Sequence, residues 1–327
     1  MKQYKQLYTR RQALAGMAAV AASLCAPLAM AQGGDSGAMI RMIVPFAAGG
    51  GTDNVARLVA DGLRDKLKTV VVIENRGGAG GTLGAAEVAR AKPDGRTLLF
   101  TPQSPVTIAQ FVEPKPPFDP EKAFVPLAIL AKTPLVLLIN ANVPVKNFRE
   151  LVAYSKAHPK ELNYGAPSHE FTFTTELLAR ESGLQMAAIP YRGSSFAMTD
   201  LLGGSIQALL SSGAAAKAQL QQGKVRAIAV VGKERSADFP DVPSTGEAGI
   251  NNLKVFGWFG LFAPAGTPEA TVNRISQAAL ALANDPAYRA KLKQAGYEAM
   301  ALGREQSEVV LAEHRAAWRS VAPHIKP

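Results

Sequence analysis

Along the chain, short runs that are apolar at nearly every position alternate with longer stretches whose apolar residues recur every three or four positions. The short runs span 40–44, 70–74, 97–101, 135–140, 162–164, 187–189, 206–211 and 225–231, and each predicts a β-strand. Between them the helical spacing is clear, as in Val55, Leu58, Val59, Leu63 and Leu67. Toward the C-terminus the same spacing predicts helices over 269–284, 286–294 and 304–320. Strands that alternate with helices predict βαβ units, and strands apolar on both faces predict sheets covered by helices on both sides. The expected fold is α/β, with mainly parallel sheets.

Two stretches break this rhythm. Residues 102–134 are proline-rich with little periodicity, which predicts a passage over the surface. Residues 239–268, reading "FPDVPSTGEAGINNLKVFGWFGLFAPAGTP", are rich in loop residues around a short apolar centre. Strands on both sides of two such seams predict two lobes with the chain crossing between them twice. The boundaries fall at 38–134 with 258–327 for one lobe and at 135–257 for the other.

The first 31 residues stand apart from this pattern. Lys2, Lys5, Arg10 and Arg11 precede an apolar stretch from Ala13 to Leu28, and the segment closes Ala29-Met30-Ala31. A basic start, an apolar middle and an A-x-A end predict a signal peptide over 1–31, hence export to the periplasm. Arg10-Arg11 hints at the twin-arginine route, but Ala13 is small where that signal wants a large apolar residue. Cys25 suggests a lipoprotein site, yet Leu24 before it is too large. Removal of this segment takes away the single cysteine, so disulfides, thiolate metal sites and cysteine nucleophiles drop out. It also removes four basic residues from a formal charge of +10. The remaining Lys and Arg are interleaved with acids, as in Arg64-Asp65-Lys66, which describes solvated faces and no nucleic-acid stripe.

Catalytic signatures are missing. His158, His169, His314 and His324 show no H-E-x-x-H spacing, and neither G-x-S-x-G nor a phosphate loop occurs. "VVIENRGGAGGTLGAAEVA" runs strand, glycine turn, helix, but counting from Gly78 and Gly80 puts Leu83 at the third glycine position of a dinucleotide fingerprint. The reading is therefore no enzyme, no cofactor and no metal.

The segment "MIVPFAAGGGTDNVARLVADGL" poses the sharper question. A strand, three consecutive glycines and a helix beginning near Asp53 leave unpaired N–H groups at the end of a bare turn, which is a natural anion seat. A plain tight turn needs fewer glycines. Thr52 or Asp53 is expected to cap the helix, Asp53 to pair with Arg57, and Gly50 to require torsions open only to glycine.

Pro45-Phe46-Ala47-Ala48-Gly49-Gly50-Gly51-Thr52-Asp53 resembles the P-[FY]-x-x-G-G-x-x-D signature of tripartite tricarboxylate transporter receptors, the TctC or Bug family. The likeness continues in order through "ENRGGAGGTLGAAEVARAKPDGRTLL", "YRGSSFAMTDLLGGSIQALL", "GKVRAIAV", "FPDVPSTGEAG" and "GWFGLFAPAGTP", over essentially the whole chain after residue 31. The resemblance implies a two-lobed periplasmic solute-binding protein of the Venus-flytrap, type II-like kind. It would close around a small carboxylate for the membrane permease subunits of a tripartite tricarboxylate-type transporter, as a monomer that binds no nucleic acid. Mapped onto this chain, the ligand-binding residues are Phe46, Ala47, Gly49, Gly50, Thr52 and Asp53 in the first lobe. Gly165, Ala166, Ser168, His169, Tyr191, Arg192 and Gly193 follow in the second. The chain departs from the family pattern at "YGAPSHEFTFTTE", two residues short, with Thr172 where the family has histidine. A signalling receptor for the same ligand, or an exported hydrolase, is the alternative function.

Overall fold

The computed structural model describes residues 39–191, 193–250, 253 and 255–325, so the signal segment expected over 1–31 and the candidate Arg192 lie outside the described residues. The first sheet contains β1 (Ile40–Val44), β2 (Val71–Asn75), β3 (Thr97–Pro102), β4 (Phe124–Thr133), β10 (Gly257–Pro264) and β11 (Glu298–Leu302), in the order β11-β4-β10-β3-β1-β2. The second contains β5 (Leu135–Asn140), β6 (Asn163–Ala166), β7 (Ala187–Pro190), β8 (Ala208–Ser212) and β9 (Val225–Val230), in the order β7-β6-β8-β5-β9. The chain passes from β4 of the first sheet to β5 of the second across the single residue Pro134.

Both sheets are mixed, which corrects the expectation of mainly parallel ones. Strand β1 pairs parallel with β2 and β3, whereas β10 pairs antiparallel with β3 and β4, and β11 antiparallel with β4. In the second sheet β6 pairs parallel with β7 and β8, while β5 runs antiparallel to β8 and β9. The antiparallel strands of the first sheet are those the apolar pattern missed. Pro126 interrupts β4 and sits where the β4–β10 register shifts, a position that tolerates a residue with no N–H. Gly257 and Gly260 break up β10, and β11 is an edge strand with no fully buried residue.

The proline-rich stretch is likewise no surface passage throughout. Ser104 to Ile108 form a wide turn in which every residue is buried, with Pro105 at its start, where a missing N–H costs nothing. Phe118 then packs edge-on against Phe124 at 5.5 Å.

Alternating residues sort the cores. Met42, Leu98, Phe100 and Leu261 face α1 (Gly51–Leu67), α7 (Glu269–Ala283) and α8 (Pro286–Gln294), while Ile43, Leu99 and Phe262 face α2 (Thr82–Ala89) and α9 (Arg304–Val321). In the second sheet Leu135, Leu137 and Ile139 pack with α3 (Phe148–Ala157) and α4 (His169–Ser182). Val136 and Leu138 pack with α5 (Ser194–Gly203) and α6 (Gly213–Leu220). Helix α9 serves both sheets, since Leu311 lies in a first-sheet cluster and Trp318 and Val321 lie in a second-sheet cluster.

Candidate ligand site

Helix α1 begins at Gly51, and Gly50 is its N-cap with φ −77° and ψ 169°. That is ordinary extended backbone, so Gly50 is not strained and neither Thr52 nor Asp53 is the cap. The glycine-only torsion belongs to Gly49, at φ +79°. Asp53 works from inside the first helical turn. Its side chain is 1% exposed; Oδ2 accepts from Gly49 N–H at 2.9 Å and from Arg57 Nε at 2.9 Å, and Oδ1 accepts from Asn75 Nδ2 at 3.0 Å. Asn75 Nδ2 also donates to Phe46 O at 3.1 Å. Burial pushes this carboxyl upward, but the bonds from Gly49, Arg57 and Asn75 outweigh burial and hold it below the usual carboxylate range. With its oxygens occupied, Asp53 shapes the turn and offers an anion nothing.

What the turn does offer is backbone. Among the described residues the N–H groups of Gly51, Thr52 and Asp53 have no acceptor, the first helical bond being Asn54 N–H to Gly50 O at 3.0 Å. They point out of the positive end of a 17-residue helix dipole. The N–H of Gly49 is spent on Asp53.

The second glycine turn, between β2 and α2, forms the adjoining wall, a role the sequence reading did not assign to it. A Cβ on Gly77 would lie 3.4 Å from Ala47 N, and one on Gly81 would lie 2.9 Å from Phe46 Cζ. One on Gly84 would meet Arg76 O at 2.7 Å and Pro45 Cβ at 2.9 Å. Gly84 therefore does the close helix packing sought one residue earlier, at Leu83, which is 60% exposed.

The second-lobe candidates divide. Gly165 lies inside β6, where a Cβ would be 2.9 Å from Ile206 Cδ1, so its smallness serves the core. Ala166 O accepts from Tyr191 N–H at 3.2 Å, and the Tyr191 hydroxyl donates to Asp200 Oδ2 at 2.6 Å, which commits that group to the second lobe. Ser168 caps α4, its Oγ accepting from Phe171 N–H at 3.4 Å, and Thr172 Oγ1 donates to Ser168 O at 2.9 Å. Gly193 faces open space. His169 reaches the first lobe: its Nδ1 is 2.8 Å from where a Gly80 Cβ would stand. Burial holds this imidazole below its usual range, so it is neutral at pH 7.

Beside that contact runs a polar chain that local sequence did not reveal. Gln103 Nε2 donates to Glu170 Oε1 at 2.7 Å, and Gln103 Oε1 is 2.7 Å from His314 Nδ1. Ser104 Oγ donates to Gly80 O at 3.2 Å. Gln103 follows β3 of the first sheet and Glu170 opens α4 on the second, so this bond joins the lobes. Burial pushes the Glu170 carboxyl up to about 7, against an opposing pull from Gln103. A raised acid stabilises the fold fully below its unfolded value, and that contribution is lost as pH rises through the folded one. Glu170→Gln keeps an acceptor for Gln103 and removes the ionisation. It is expected to leave stability unchanged near pH 4.5 and to raise it by about 1–3 kcal/mol at pH 8.5. Urea unfolding at the two pH values checks this, and an equal effect at both would refute it.

The profile of the "Tripartite tricarboxylate transporter family receptor" matches residues 55–326. The chain belongs to this family. Protein BugT of Bordetella pertussis is 36% identical over 234 residues, covering 70% of this chain and 71% of that protein. Among solved structures, the periplasmic binding protein BugD is 31% identical with a TM-score of 0.75, covering 88% of this chain and 97% of BugD. MatC of Rhodopseudomonas palustris, solved with bound malate, is 32% identical with a TM-score of 0.75, covering 87% and 98%. This TctC/Bug receptor accordingly has the two-lobed α/β fold of solute-binding proteins, and its relatives are binding receptors. Among its described residues no group of His, Cys, Asp and Glu is placed to hold a metal ion. No helix among them is long and apolar enough to cross a membrane.

Proposed function

We propose that this chain captures a small organic carboxylate between its two lobes, outside the cytoplasm, and presents it to the permease subunits of a tripartite tricarboxylate-type transporter without transforming it. The lobes are assigned to 38–134 with 258–327 and to 135–257. The observation that carries the reading is the set of unpaired N–H groups of Gly51, Thr52 and Asp53 at the start of α1, in a turn whose acid is paired with Arg57 and hydrogen-bonded by Asn75. A carboxylate is the complement of such a terminus, and the malate bound by MatC is of that class.

Three or four charge-assisted hydrogen bonds, at about 1.5–3 kcal/mol each, supply micromolar affinity after the cost of ordering the ligand. Residues on the second lobe, His169 foremost, would close over the far side. The test is calorimetry and thermal shift with malate, succinate, adipate, citrate and benzoate. At least one is expected to bind with a Kd in the micromolar range and to be recovered unchanged after incubation. Absence of binding across the panel, or consumption of a ligand by the purified protein, would refute the reading.

A further inference from the structure

Tyr297 lies between α8 and β11, at the other end of the chain from the glycine turn, and is 5% exposed. Its ring belongs to the first-sheet core and stands edge-on to Phe259, with centroids 5.5 Å apart. A Cβ on Gly51 would be 2.7 Å from the Tyr297 hydroxyl oxygen and 3.9 Å from Cζ, so the C–O bond points almost head-on at Gly51. Among the described residues no hydrogen-bond partner meets this hydroxyl, and the oxygen is not wholly occluded.

The ring is buried in the core, where phenylalanine would fill the same space, and the hydroxyl gains no hydrogen bond from the protein in return. The hydroxyl lies against the Cβ position of Gly51, the residue at which α1 begins with the acceptor-free N–H groups of Gly51, Thr52 and Asp53. All of these groups can donate, and none of the N–H groups can accept. What satisfies several donors at one helix start is an anion with more than one lone pair, and a phenol donates strongly to a carboxylate. Burial holds the Tyr297 phenol above its usual range, so it keeps its proton at neutral pH.

We propose that the Tyr297 hydroxyl is a further donor to the carboxylate seated at the start of α1, a side-chain contact added to the backbone ones. This rests on the carboxylate reading above. It also explains Gly51, where any side chain would displace the hydroxyl.

The experiment compares the wild-type chain with Tyr297→Phe by calorimetry against malate, succinate, adipate, citrate and benzoate at pH 7.5. Every carboxylate that the wild type binds is expected to bind about five- to thirtyfold more weakly to Tyr297→Phe. The unliganded melting temperature should be unchanged or slightly higher, because a partnerless hydroxyl is gone. Gly51→Ala, made in both backgrounds, supplies the second measurement. It should weaken binding in the wild type, where the new Cβ meets the oxygen, and have much less effect once that oxygen is absent. Undiminished affinity in Tyr297→Phe, or equal effects of Gly51→Ala in the two backgrounds, would overturn the contact and leave the carboxylate reading standing. A wild-type chain that binds no carboxylate would overturn both.

Discussion

Asp53→Ala is expected to abolish carboxylate binding and to lower stability by about 2–4 kcal/mol. Asp53 is almost fully buried, and its two oxygens hold Gly49 N–H, Arg57 and Asn75. Alanine leaves the Gly49 N–H and one Asn75 donor without their acceptor, and frees Arg57 beside the turn. Arg57 is more than half exposed, so water takes up its charge and the loss stays below the upper range for a broken buried pair. Binding suffers more, because the left-handed Gly49 is no longer pinned and the first-turn N–H groups lose their fixed direction. A loosened donor set pays the ordering cost when ligand arrives. Urea unfolding and calorimetry with a carboxylate bound by the wild type measure both effects. A folded Asp53→Ala protein with wild-type affinity would remove Asp53 from the role assigned to it.

Gly84→Ala is the second large effect, with an expected loss of about 1–3 kcal/mol and about tenfold in affinity. Its Cβ would stand 2.7 Å from Arg76 O and about as close to Pro45, at 2.9 Å from Cβ and 3.0 Å from Cα. These neighbours are backbone or ring atoms, and Arg76 is itself anchored by its N–H to Val44 O at 2.8 Å. No flexible side chain can swing aside, so α2 must shift away and part the two glycine turns where Gly77 and Gly81 meet Ala47 and Phe46. Gly203→Ala is the control, since nothing lies within 4 Å of its Cβ position. If Gly84→Ala unfolds at the same urea concentration as Gly203→Ala, the close contact is not limiting and the prediction fails.

Strands buried on both faces were legible because burial writes itself as a run that is apolar at nearly every position. The run predicted over 135–140 is β5, Leu135–Asn140, and the run over 40–44 is β1, Ile40–Val44. The C-terminal helices were legible for the same local reason, with Pro286–Gln294 matching its predicted span. Strands β4, β10 and β11 were not, since their place depends on partners: Pro126 is tolerated only because the β10 pairing shifts register beside it, and Glu298–Leu302 is a strand because β4 lies alongside. The mixing of the first sheet followed from those three, and that of the second from β5, which was read as a strand but whose antiparallel pairing with β8 and β9 no local pattern gives.

The anion turn could be read because β1, its glycines and the first turn of α1 are consecutive, so spacing alone brings the unpaired N–H groups together. Everything that the turn leans on is remote. Gln103 meets Glu170 across 67 positions and His314 across 211, and Tyr297 reaches Gly51 from the far end of the chain. Local sequence determined a bare helix terminus and the class of ligand suited to it, because backbone donors depend on neighbours a few residues away. Tertiary structure alone decided which side chains stand beside that terminus, because such contacts depend on packing between distant elements, and no local pattern encodes it.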